Sequence, residues 1–253
     1  MECNKGVSTA RNKGISLASK EYLAFIDCDD IYNQNALSSM VLCIEKHPDI
    51  AAVQFGYTYN NHHYYNEEDI GIRSSELFLK DANIKKKLYY LSRWIFKTNF
   101  IKNKMEFNVN LPMGEDTVFL MNVIVNSRKV MCEKTSVFTF VGHDNSETRR
   151  YRKNLIEELD ELYLAKKSIY QNNGKSVPFD LMKYTAEHNF LLCMINVVNK
   201  DWINRLYMSS WFQETKYLPS STLKLSIGLK LKRNIIKYCH VNILKILENL
   251  LLD

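Results

Sequence analysis

The chain has 253 residues, 46% of them hydrophobic and 25% charged, enough to bury a real core and to exclude wholesale disorder. Its net charge of +6 is mild and gathers in IKKKL (84–88), RRYRK (149–153) and the last thirty residues. This fits an anionic partner and points away from nucleic acid, because the basic runs have neither interleaved aromatics nor a recognisable nucleic-acid module.

Residues 4–20, NKGVSTARNKGISLASK, are punctuated by glycine and then helical in tone, with Ala10, Ile15 and Ala18 available for a packed face. EYLAFID follows as a short, continuously apolar strand, the pattern of a parallel strand covered on both sides. From Asn33 to His47, Leu37, Met40, Val41 and Ile44 recur at the spacing of an amphipathic helix, which Pro48 stops. AAVQFGYTY (51–59) reads as the next strand, and NNHHYY as a turn into another extended piece. This order predicts an α/β sandwich with parallel strands.

Between Arg73 and Asn110 the pattern is weaker: RWIFKTNFI reads as a strand and turn, NVNLPMGED as a loop. DTVFLMNVIVNS, from Asp116, is a helix entered through acidic residues, and KVMCEKTSVFTFV is extended, running into GHDNSETRR. After about Tyr151 the pattern is helical throughout, first with the stripe Leu155, Ile156, Leu159, Leu162 and Tyr163, then with a longer buried helix over Phe179 to Val198. The expected organisation is an α/β domain over 1–150 and an α-helical region over 151–253. Six scattered cysteines, with no Cys-x-x-Cys pair, support neither a zinc site nor a disulfide framework. Reduced, mostly buried thiols imply a cytoplasmic compartment. No apolar signal segment follows Met1, and no window approaches the roughly 18 apolar residues of a membrane span.

Three carboxylates, Asp27, Asp29 and Asp30, follow the strand EYLAFID. The carboxyl edge of a sheet is where open α/β folds bind ligands. So much negative charge asks for a cation, and hard oxygen ligands suit Mg²⁺ or Mn²⁺. Magnesium takes one or two carboxylates together with substrate phosphates, so the cluster predicts a metal-bound diphosphate. For Asp30 a simple helix N-cap is an alternative.

NKGVSTARNKGISLASKEYLAFIDCDD resembles the middle of the family-two glycosyltransferases, inverting sugar-nucleotide enzymes that build bacterial surface polysaccharides. The resemblance rests on Gly6, Ala10-Arg11-Asn12, Gly14 and the Asp27-x-Asp29-Asp30 segment, the family's DxD motif. WIFKTNFIKNKMEFNVNLPMGEDTVFLMNVIVNS is similar to the acceptor half of the same fold, where Glu-Asp opens a helix. The resemblance implies a partial GT-A (Rossmann-like) sheet with helices on both faces. It further implies that Asp116 is the catalytic base, that Asp29 holds the metal, that Asp27 contacts the ribose or the metal, and that Arg11 and Asn12 lie near the nucleotide. An inverting transfer needs a base on the acceptor side and a cation for the departing diphosphate. Without the first motif, GED would read only as negative charge at a helix N-terminus. FTFVGHDNSETRR resembles the closing strand and loop, with His143, Arg149 and Arg150 as contacts to the metal or phosphates, or as a solvated basic loop.

The resemblance covers roughly residues 1–150 and begins in the middle of the family's domain. From this we expect an open sheet edge beside the strand Tyr22–Asp27 and loss of the base-reading half of the donor site. An inactive remnant or a partner-binding module of the same fold is therefore the alternative to an enzyme. Residues 223–252 alternate lysines with Leu and Ile, either a basic amphipathic helix on an anionic membrane surface or a terminal helix packed on its neighbours. The implied partners are a nucleotide-sugar donor and a glycan or lipid-linked acceptor.

Overall fold

A computed structural model describes residues 5–65, 67–79, 90–102, 104–141, 153–196, 202–219 and 223. The chain divides into two compact units, Met1–Arg149 and Arg150–Asp253.

In the first unit, seven strands among the described residues form one sheet. They are β1 (Tyr22–Ala24), β2 (Ile31–Tyr32), β3 (Ala52–Tyr59), β4 (His62–Tyr64), β5 (Gly71–Ser74), β6 (Trp94–Lys97) and β7 (Lys129–Thr139). The order is β1-β6-β3-β7-β2, with β4 beside β3 and β5 beside β7. β3 and β7 run parallel, while β6 lies antiparallel between β1 and β3. The sheet is therefore mixed rather than wholly parallel: β1 and β3 point the same way but are not neighbours.

The central strand β3 is buried over its first five residues, the polar Gln54 among them. β6 shows how both faces are covered. Alternation turns Ile95 toward helix α2 (Ala36–Glu45), into a core with Met40, Ile44, Val53 and Phe55. Trp94 and Phe96 face the other way, where Phe96 meets Phe119 of helix α4 (Glu115–Asn126) at 6.0 Å. Between them in the chain lies the short α3 (Thr98–Ile101), and helix α1 (Val7–Leu17) precedes the sheet.

Two expectations change in detail. α2 buries Met40 and Ile44 as expected, with Val41 packed against the same core, but Leu37 is 54% exposed and Ala36 is buried instead. β1 is part-buried along its length because it ends the sheet order, so it is not covered on both sides. The turn expected in NNHHYY is a tight β3–β4 hairpin, with Asn60 and Asn61 both at positive φ (48° and 61°). That is the backbone a primed hairpin turn demands, and asparagine tolerates it.

The second unit is helical where described: α5 (Leu155–Asn172), α6 (Phe179–Asn196), α7 (Trp202–Met208) and α8 (Ser210–Thr215). The stripe Leu155, Ile156, Leu159 and Tyr163 is buried, together with Phe190, Cys193, Trp202 and Trp211. Asp160 caps α8, accepting from the backbone N–H of Trp211 at 2.9 Å. No helix among the described residues is long and apolar enough to cross a membrane. Of the basic 223–252 stretch only Leu223 lies within the described residues; Cys3, Cys239, His143, Arg149 and Arg150 lie outside them. Cys28 is exposed, Cys43 partly buried, and Cys132 and Cys193 buried, all as free thiols.

Candidate active site

Three segments that are distant in sequence meet at one place: α1, the turn after β1, and the start of α4. Arg11 joins them. Its Nη2 donates to Asp27 Oδ1 at 2.7 Å and its Nη1 to Glu115 Oε1 at 2.8 Å, with the guanidinium 5.3 Å from the centre of the Phe107 ring. A planar fork with several fixed donors suits two carboxylates at once. Burial works against the charge on Arg11, but its bonds and proximity to Asp27 and then Glu115 outweigh that and hold its pKa above the ordinary value.

Asn12, the next residue on α1, pairs with a loop backbone. Its Nδ2 donates to the Phe107 carbonyl at 2.9 Å, and the Phe107 N–H donates to its Oδ1 at 2.7 Å. Phe107 in turn stacks on Phe119 (4.0 Å, 5° between planes), and Phe25 meets Phe107 edge-on at 5.5 Å. The charged groups therefore stand on an aromatic floor that fixes the loop before α4. Gly114, at φ 71°, supplies the left-handed residue from which Glu115 and Asp116 enter the helix.

Asp116 lies beside Glu115 but makes no direct bond to Arg11; its Oδ1 accepts from the Thr117 N–H at 2.6 Å. Burial raises its pKa, and repulsion from Glu115 adds to this, against the pull of the Thr117 N–H and Arg11. A carboxylate whose proton affinity is raised in this way has the property a general base requires.

The three aspartates after β1 divide. Asp27 is 46% exposed while paired with Arg11, and Asp29 is exposed. Asp30 turns inward, where Ser92 Oγ donates to its Oδ2 at 3.1 Å; burial raises its pKa against that bond and one from the Val141 N–H. It does not cap α2, which begins at Ala36 with Asn35 at the cap position, so that alternative is removed. Tyr32 is partly buried; that burial, and then the charges of Asp30 and Asp27, push its hydroxyl pKa up to about 12, and it donates to the Phe25 carbonyl at 2.8 Å.

Among the described residues, no three His, Cys, Asp or Glu side chains stand together as a metal cage. Two reachable carboxylates, Asp27 and Asp29, match instead the demand of Mg²⁺ or Mn²⁺ for one or two carboxylates beside substrate phosphates. The residues present fit that kind of site. Glu115, Phe107 and Ser92 were not legible as members of the site. Glu115 reads as charge at a helix start, and Ser92 and Phe107 fall just outside RWIFKTNFI and NVNLPMGED, where the pattern is weak.

The mixed α/β sheet, with a carboxylate turn at one strand end joined through Arg11 to an acidic helix entrance, is consistent with a partial GT-A fold. The chain matches the family described as Glycosyl transferase family 2 over residues 1–126. It is 22% identical to the uncharacterized glycosyltransferase EpsJ of Bacillus subtilis, over 89% of this chain and 74% of that protein. It is 23% identical to the poly(ribitol-phosphate) beta-N-acetylglucosaminyltransferase TarP of Staphylococcus aureus, over 78% of this chain and 65% of that protein. EpsH of Bacillus subtilis, a glycosyltransferase by provisional designation, is 24% identical over 81% of this chain, and the chain spans 62% of its length. Among solved structures, S. aureus TarS 1-349 in complex with UDP shares the fold (TM-score 0.65, 16% identity, 97% of this chain and 71% of that one).

Proposed function

We propose that this protein is a glycosyltransferase that moves a sugar from a nucleotide-sugar donor to a hydroxyl of a surface polysaccharide or teichoic-acid-type acceptor, with inversion at the anomeric carbon. The observation that carries this reading is the Arg11 bridge, which links the turn bearing Asp27 and Asp29 to the helix entrance bearing Asp116. Supporting it are the family match, the named roles of relatives such as TarP, and the UDP complex of a protein with the same fold.

In this reading Asp116 takes the proton of the acceptor hydroxyl as its oxygen attacks the anomeric carbon. The bond from that carbon to the diphosphate breaks, and the nucleoside diphosphate leaves. Asp29, with Asp27, would hold Mg²⁺ or Mn²⁺, which would supply positive charge for the departing diphosphate. Arg11 and Asn12 act at the nucleotide end. Arg11 holds Asp27 in place, and Asn12 holds the loop at Phe107 against α1. The basic 223–252 stretch supports attachment to an anionic cytoplasmic membrane face, where lipid-linked acceptors would lie.

UDP release from a panel of UDP-sugars, with cell-wall polymers as acceptors and Mn²⁺ present, tests the proposal. Asp116→Asn should lower turnover by about 10²–10⁴-fold. Turnover unchanged in that variant would remove Asp116 as base, and absence of turnover across the panel would favour the partner-binding module.

A further inference from the structure

The outer end of the sheet carries a patch of aromatic rings that the carboxylate site does not use. Alternation places Tyr57 and Tyr59 of β3 on one face, and the parallel register with β7 adds Phe138 and Phe140. β4 adds Tyr64 opposite Tyr57. The intervening positions form a polar network instead: Thr58 and Ser136 hydroxyls lie 2.8 Å apart, and Asn33 bonds Ser136 at 3.1 Å and Thr139 at 2.9 Å. One face is thus polar and tied down, the other aromatic.

The aromatic face is only partly sealed. Phe138 is fully buried and Tyr57 is backed by Arg93 at 5.2 Å. Tyr64 stacks on Tyr57 (5.2 Å, 17°) yet is 40% exposed, and Tyr59 packs at 5.3 Å against a partly buried Phe140. The hydroxyls of Tyr59 and Tyr64 make no hydrogen bond among the described residues.

The patch adjoins the carboxylate turn. Ile31 and Tyr32, directly after Asp30, pair with Thr139 and Phe138. Tyr90, packed at 4.7 Å on Phe140, lies two residues from the Ser92 that donates to Asp30. A pyranose ring has one face of C–H groups and a rim of hydroxyls, which complements a flat aromatic surface edged with phenol groups. An open-chain polyol phosphate has no such face.

We propose that Tyr59, Tyr64 and Phe140 form an acceptor subsite that stacks the apolar face of a pyranose ring. This rests on reading the adjacent carboxylate turn as the donor site. It commits the acceptor to a sugar rather than to a polyol-phosphate unit at this position.

Saturation-transfer NMR on the full chain with chitotriose, cellotriose and maltotriose, and with ribitol phosphate, tests it. At least one trisaccharide should receive saturation at its ring C–H protons. Tyr59→Ala and Tyr64→Ala should each lower that signal roughly fivefold, with Tyr64→Phe keeping it. Far-UV circular dichroism on each variant reports that the fold is retained. Absence of transfer to all three trisaccharides, a signal in both alanine variants equal to that of the parent, or transfer confined to ribitol phosphate would overturn the proposal. UDP binding on the same samples separates the two readings. Stacking without UDP binding would support the subsite and strike the donor site, whereas UDP binding without stacking would strike the subsite alone.

Discussion

Arg11 faces two carboxylates that a point-like cation cannot serve equally, because its fork gives separate nitrogens to Asp27 and Glu115. Arg11→Met removes both bonds and leaves two acidic groups facing each other. Urea unfolding should show a loss of about 1–3 kcal/mol, with Arg11→Lys losing less; an unchanged midpoint in the Met variant would mean the bridge does not form in solution. Asp116 has the opposite balance. Its raised pKa means the folded state binds this proton more tightly than the unfolded one, so its contribution favours folding at acid pH. That contribution is lost as pH rises from the ordinary value of 3.8 through the raised one. Asp116→Asn should therefore melt higher than the parent at neutral pH, by about 2–4 °C per kcal/mol gained, while losing turnover. Equal melting temperatures would argue that Asp116 is solvated rather than buried. For the same reason, the acid limb of activity should lie above the usual carboxylate range.

At the scale of elements, the pairing of β3 with β7 turns on one residue. The register steps from Gln54↔Cys132 to Gly56↔Ser136, so β7 bulges over β3, and a Cβ on Gly56 would stand 2.5 Å from the Lys134 carbonyl oxygen. Gly56→Ala should cost about 1–3 kcal/mol and disturb the strands that carry the aromatic patch, read as a lower melting temperature; a neutral result would show that the bulge relaxes freely. This bulge was invisible in the sequence, where Gly56 interrupts an otherwise ordinary strand pattern. Periodicity and glycine spacing did reveal α2, α4, β3 and β7, because each carries a strong local signal. The antiparallel insertion of β6 between β1 and β3 was not legible, since strand order is set by contacts distant in the chain. Nor was the first turn of α2, where Ala36 takes the buried position that Leu37 was expected to hold.

Across the whole molecule, the site is a product of the first unit's complete fold rather than of any one motif: Arg11 and Glu115 meet across 104 positions of chain. The Asp-x-Asp turn and the Glu-Asp helix entrance were legible because each carries a charge pattern that is costly without a purpose. Their connection through Arg11 was not, since nothing in a sequence pairs one arginine with two particular acids. In the proposed function this connected corner holds a metal-bound nucleoside diphosphate. Calorimetric titration of the full chain with UDP, with and without Mn²⁺, tests it most directly. Binding should depend on Mn²⁺, weaken roughly tenfold or more in Asp29→Asn and persist in Asp116→Asn. UDP binding of equal strength without Mn²⁺ and in Asp29→Asn would contradict it.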